Sequence, residues 1–185
     1  DSDIKKTYFN NKDLSDIKVS DVIDSFINLD PENTSQSALT LLKRITSDKA
    51  LSNIKIEVVP TLDNNHAEWD SATNIIKMSR ESLSELPADQ VIRTVLHEVV
   101  HAKTASAILE PTTPEEKQLT SSVRQFIDNY SSLSNAYGFT NEMEFVAELY
   151  SNSDFRDEVQ KLYEERPVFR NMFQKILDDI RRLFN

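Results

Sequence analysis

The sequence predicts an α+β fold: a small, mostly antiparallel sheet packed on one long helix, followed by a predominantly helical C-terminal half. Three observations carry this expectation. Apolar and polar residues alternate with period two only between about residues 54 and 78. From Pro87 onward the apolar spacing becomes helical. The long helix that carries the two closely spaced histidines follows the alternating region in sequence.

Taken in order, residues 1 to about 18 are polar and weakly patterned, and are expected to form a solvated arm. Val22, Ile23, Phe26 and Ile27 follow Ser20-Asp21, and Leu39, Leu41, Leu42 and Ile45 follow the turn at Asp30-Pro31; each set reads as a short packing helix. Ile54, Ile56 and Val58 alternate with Lys55 and Glu57, the pattern of a half-buried strand, which Pro60 ends. A turn at Asp63-Asn64-Asn65 leads into a strand through His66-Ala67-Glu68-Trp69. Asp70 to Asn74 separate it from a third strand, Ile75-Ile76-Lys77-Met78, so a hairpin is expected within a three-stranded sheet.

Pro87 suits the first position of a helix and Asp89 its first turn, where a carboxylate meets the positive end of the helix dipole. This helix is expected to run to about Ile108, with Val91, Val95, Val99 and Ala102 on related faces, and to be stopped by Pro111 and Pro114. Val123, Phe126, Ile127 and Tyr130 mark a further helix, and the only glycine, Gly138, sits in the turn that follows. Asn141 to Tyr150, Phe155 to Tyr163 and Val168 to Phe184 read as three more helices, the last strongly amphipathic and read as a packing helix. There is no internal repeat, and the expected organisation is a single domain, 1–185: arm and packing helices over 1–50, sheet and long helix over 54–110, and helices over 114–185.

Composition narrows the chemistry. With 185 residues, 38% of them hydrophobic and 28% charged, the chain can close a core without cross-links. It contains no cysteine, which removes disulfides, thiolate nucleophiles and sulfur-ligated zinc together, so a bound metal must use His, Asp or Glu. A net charge of -10 without a Lys/Arg stripe argues against nucleic acid as the main partner, and no run approaches a membrane span. Asp1-Ser2-Asp3-Ile4-Lys5-Lys6 lacks the apolar stretch of a signal peptide, and the absence of an initial Met reads as a piece of a longer protein or a processed product; localisation stays open.

The chemistry concentrates in His97-Glu98-Val99-Val100-His101. A spacing of four puts both imidazoles on one helical face about a turn apart, roughly 6 Å along the axis, a gap that one zinc ion bridges. Glu98 lies about 100° round the helix from His97, placed to contact water on the metal rather than to replace a histidine. A catalytic zinc site usually takes three protein ligands and keeps one position for water. A metzincin would need Gly and His after the second histidine where this chain has Thr104 and Ala107, so that branch is excluded. Glu144 and Glu148 lie four apart on a later helix; Glu144 is expected to bind the metal and Glu148 to accept a hydrogen bond from a ligand imidazole, while Glu142 points elsewhere.

On these residues the chain resembles the gluzincin group of metallopeptidases, in which a second helix supplies a glutamate and an acidic residue follows four positions later. His97, Glu98, His101, Glu144 and Glu148 match that pattern one by one. More narrowly, Leu96-His97-Glu98-Val99-Val100-His101-Ala102 with Glu144-Phe145-Val146-Ala147-Glu148-Leu149-Tyr150-Ser151-Asn152 is similar to zincin-like domains embedded in very large phage and mobile-element proteins. The similarity covers roughly residues 54 to 155, and departs from the thermolysin type in having Glu148 where aspartate is usual. It implies a zincin-like fold, a zinc cofactor and a protein or peptide substrate. It further implies hydrolysis of the peptide bond by a metal-activated water, with Glu98 as general base. Tyr150, Tyr137, Tyr130 and His66 are the candidate donors to the oxyanion, and the strand Ile75 to Met78 is the expected edge for an extended substrate. Two other classes fit the same residues: a zinc-binding but inactive structural or interaction domain of a larger protein, and a helical interaction domain whose histidines bind nothing. Retention of Glu98, which zinc binding alone does not require, speaks against the first.

Overall fold

A computed structural model of the chain describes residues 17–21, 24, 40, 44, 47–63, 65–166 and 170–183. The two helices expected on Val22, Ile23, Phe26 and Ile27 and on Leu39, Leu41, Leu42 and Ile45, and the terminal positions Val168, Phe169 and Phe184 of the last helix, lie outside the described residues. The described residues up to Ala102 form one compact unit and those from Lys103 onward a second.

The first unit contains β1 (Ile17–Lys18), α1 (Lys49–Ser52), β2 (Lys55–Val59), β3 (Ala67–Asp70), β4 (Ile75–Ser79), α2 (Arg80–Glu85) and the greater part of α3 (Ala88–Leu109). Its sheet has the order β1-β2-β4-β3. β1 pairs antiparallel with β2, β2 parallel with β4 and β4 antiparallel with β3, so the sheet is mixed, with one parallel pairing at its centre. Two expectations are corrected here. Ile17 and Lys18 are a strand, not the end of a solvated arm: Ile17 is buried opposite Ile56, and Val19 N donates to Ile54 O at 3.0 Å. A pairing of two residues is too short to leave a period in the sequence.

The sheet's edge also differs from expectation. Ile75–Ser79 is an interior strand, held on both sides by β2 and β3, and among the described residues β3 is the outer strand on that side. The reason is the hairpin. Ala72 N donates to Asp70 Oδ1 and Asn74 N to Asp70 O, both at 2.8 Å, while Asn74 takes a left-handed φ of 54° that asparagine tolerates better than most residues. This tight turn seats β3 against β4 with Trp69 opposite Ile76, and β4's other side then pairs with β2, Ile56 opposite Ile76. Ile76 and Met78 are consequently buried at 0% and 1% exposure.

β4 runs directly into α2, whose N-cap Ser79 accepts from Ser82 N through its side chain. α3 follows Pro87 and ends one residue beyond the expected position. Within the first unit it buries two rows at i, i+4 spacing, Val91, Val95 and Val99 beside Ile92, Leu96 and Val100. Each such side chain contributes about 1.5–3 kcal/mol relative to its exposed state. Packing therefore fixes the rotation of the helix about its axis, and with it the direction of the side chains on its other face.

The second unit holds the end of α3, α4 (Pro114–Tyr130), two 3-10 turns (Ser131–Leu133 and Tyr137–Phe139), α5 (Glu142–Ser151), α6 (Ser153–Glu164) and α7 (Arg170–Leu183). Pro114 starts α4 as its first residue behind a reciprocal capping box, Thr113 Oγ1 accepting from Glu116 N and Glu116 Oε1 from Thr113 N. An aromatic cluster ties these helices together. Phe126 lies 5.5 Å from Phe145 between ring centroids, Phe145 5.6 Å from Phe155, and Phe155 5.5 Å from Phe139. The buried faces of α5 are Phe145, Val146, Ala147, Leu149 and Tyr150, which leaves Glu144 and Glu148 half-buried on another face.

Candidate metal centre

The two apolar rows that anchor α3 leave His97 half-buried and His101 at 6% exposure. Their rings meet edge to face, with centroids 4.6 Å apart and planes at 83°, and the two Nε2 atoms converge to 3.0 Å. Two nitrogens on a tetrahedral zinc with bonds of about 2.0–2.1 Å stand roughly 3.3–3.4 Å apart. The imidazoles are thus within a few tenths of an ångström of the bite such a metal needs. A carboxylate oxygen of Glu144 joins them: the ligand atoms of His97, His101 and Glu144 all lie within 4.8 Å of one another, and together they can hold a metal ion. Two imidazoles and one carboxylate are nitrogen and oxygen donors that divalent transition metals accept. This donor set fits a metal ion of the kind the resemblance implies.

Glu98 is 8% exposed, and its Oε2 accepts from the backbone N–H of Trp69 at 2.7 Å. The pairing of β3 explains why that amide is available. His66 O accepts from Ser79 N across the ladder, so alternate residues of β3 turn their backbone groups to β4 and Trp69 turns its amide outward. Sequence reasoning missed this contact, because nothing in the spacing of Trp69 and Glu98 brings an outer strand to the helix.

Glu148 is held within its own unit. Its Oε2 accepts from Asn152 Nδ2 at 2.8 Å. Glu142, expected to point elsewhere, is ion-paired with Arg124, Nε to Oε1 at 2.8 Å. That hydrogen bond from Arg124 holds the Glu142 carboxyl below its ordinary value, and correspondingly raises the guanidinium.

The four candidate oxyanion donors are placed very differently. Tyr130 is completely buried against Phe126, centroids 4.5 Å apart; burial pushes its phenol up despite the Arg166 guanidinium 5.8 Å from its ring, and a core side chain of this kind does not reach a substrate. Tyr137 is 61% exposed. His66 is exposed, with Nδ1 2.7 Å from Ser82 Oγ. Tyr150 is 7% exposed and stands on α5, two residues beyond Glu148.

Comparison of the chain with protein-family models, with curated proteins and with solved structures finds no match.

Proposed function

We propose that the chain is a zinc-dependent metallopeptidase of gluzincin type, with a zincin-like fold, that hydrolyses peptide bonds. The observation that carries this reading is the convergence of His97, His101 and Glu144 ligand atoms to within 4.8 Å, beside a buried glutamate that metal binding does not itself require. His97, His101 and Glu144 hold the zinc, and Glu148 fixes a ligand imidazole by accepting its second ring N–H. Bound there, zinc would supply Lewis acidity for activating a water and polarising a substrate carbonyl.

The remaining work falls to the chain's own groups. Glu98 is oriented from outside the helix by the Trp69 N–H on its Oε2, and is the base that takes a proton from the attacking water and returns it to the leaving amine nitrogen. The outer strand β3, rather than β4, is the edge along which an extended peptide adds. The test is hydrolysis of a peptide library by zinc-loaded protein beside Glu98→Gln. Loss of general-base action is expected to cut the rate by about 10²–10⁴-fold while zinc stays bound. A parent that binds zinc yet cleaves nothing would instead support the inactive structural domain.

A further inference from the structure

Between α5, which ends at Ser151, and α6, which starts at Ser153, a single residue makes the junction. Asn152 N donates to Glu148 O at 2.9 Å and closes α5, while Asn152 Oδ1 accepts from Asp154 N at 3.1 Å and Phe155 N at 3.3 Å and opens α6. An amide whose oxygen is committed to two backbone N–H groups must turn its nitrogen the other way. There Nδ2 meets Glu148 Oε2 at 2.8 Å. The cap thus settles which end of the amide faces the carboxylate, and the junction becomes a fixed donor aimed at Glu148.

We infer that Asn152 is a positioning residue for the metal centre, acting through Glu148. The inference rests on the reading above, in which Glu148 orients a ligand imidazole. Glu148 is a half-buried side chain with three rotatable bonds, and a hydrogen bond to one oxygen selects the rotamer in which the other oxygen serves the imidazole. A residue that merely joined two helices would need only its Oδ1.

That difference makes the test. Asn152→Asp keeps a cap of equal quality and replaces the NH2 donor by a carboxylate oxygen, so the junction survives and the contact to Glu148 does not. Asn152→Ser keeps a shorter cap, adds no charge, and cannot reach Glu148. Zinc affinity is measured by competition with a chromophoric chelator, alongside the thermal midpoint of the metal-free proteins. Both variants are expected to bind zinc about 10-fold more weakly than the parent, in line with the loss of groups behind a metal ligand. In a Glu148→Gln background the further loss is expected to shrink to less than about 3-fold, because both changes act through one carboxylate. Unchanged zinc affinity in both variants, or an equal loss when Glu148 is already Gln, overturns the inference while leaving the metal centre in place. A parent that binds no zinc overturns the metal centre and the inference with it, an outcome the parent's own titration separates from failure of the inference alone.

Discussion

Gly138→Ala offers a test of the helical unit that involves no metal. Gly138 is the chain's only glycine, and its φ is not positive, so an alanine adopts its backbone without strain. On conformational grounds alone the substitution should stabilise by about 0.4–1 kcal/mol, through the narrower unfolded ensemble. The packing predicts the opposite sign. A Cβ at this position would press on the Phe155 ring, 2.7 Å from both Cε atoms and nearer still to Cζ, whereas carbon atoms sit comfortably at about 3.5–4.0 Å. The ring must therefore move by about an ångström. It is 4% exposed and flanked by Phe139 and Phe145, so it has no open side to move into. Overpacking of this kind costs about 1–3 kcal/mol. For a chain of this size that lowers the thermal midpoint by about 2–12 °C, measurable with denaturant unfolding as the companion assay. Phe155→Leu should be partly rescued in the Gly138→Ala background, since the smaller side chain yields the space the new methyl needs. A stability equal to or above that of the parent would refute the close approach of residue 138 to Phe155.

Two further outcomes follow from the same unit. Thr113→Ala removes the acceptor for Glu116 N at the start of α4 and is expected to cost about 1 kcal/mol, read from denaturant unfolding. Arg124→Gln should return the Glu142 carboxyl towards its ordinary 4.5, followed by NMR titration of that carboxyl. A depressed carboxylate contributes stability that is present above its unfolded value and lost as the pH falls through its folded value. The variant should therefore show a shallower loss of stability on acidification below about pH 4.5, with the effect weakened by salt because the pair is exposed.

Much of the candidate site is legible in the sequence because it depends on short-range helical geometry. His97 and His101 are brought together by a spacing of four, and the apolar rows beside them already say which way the helix is turned. Glu144 is a longer reach: its helix is plain from the apolar period, but no short-range spacing links it to the two histidines. The three longer strands and the hairpin follow the pattern, and the order of strands in the sheet is where pattern failed. Ile75–Ser79 has the apolar run of an interior strand as much as that of an edge, and only the register of the hairpin with β3 and the parallel pairing with β2 decide between them. β1 and α2 escaped notice because elements of two and six residues carry too little period, although Ser79 before Arg80 is a readable N-cap. The Trp69 contact to Glu98 is a backbone donor and leaves no trace in residue type. Asn152 did leave one: an asparagine immediately before Ser153-Asp154 is a helix start signal, and the structure adds that the same side chain holds Glu148.

The central claim is a three-ligand metal site built from His97, His101 and Glu144. Its most direct test is the zinc content of purified, metal-replete protein beside Glu144→Ala, measured by elemental mass spectrometry. Close to one zinc per chain is expected in the parent and a clear loss in the variant. Zinc absent from both would contradict the metal centre itself, and zinc retained in full by Glu144→Ala would show that the third ligand lies elsewhere in the chain.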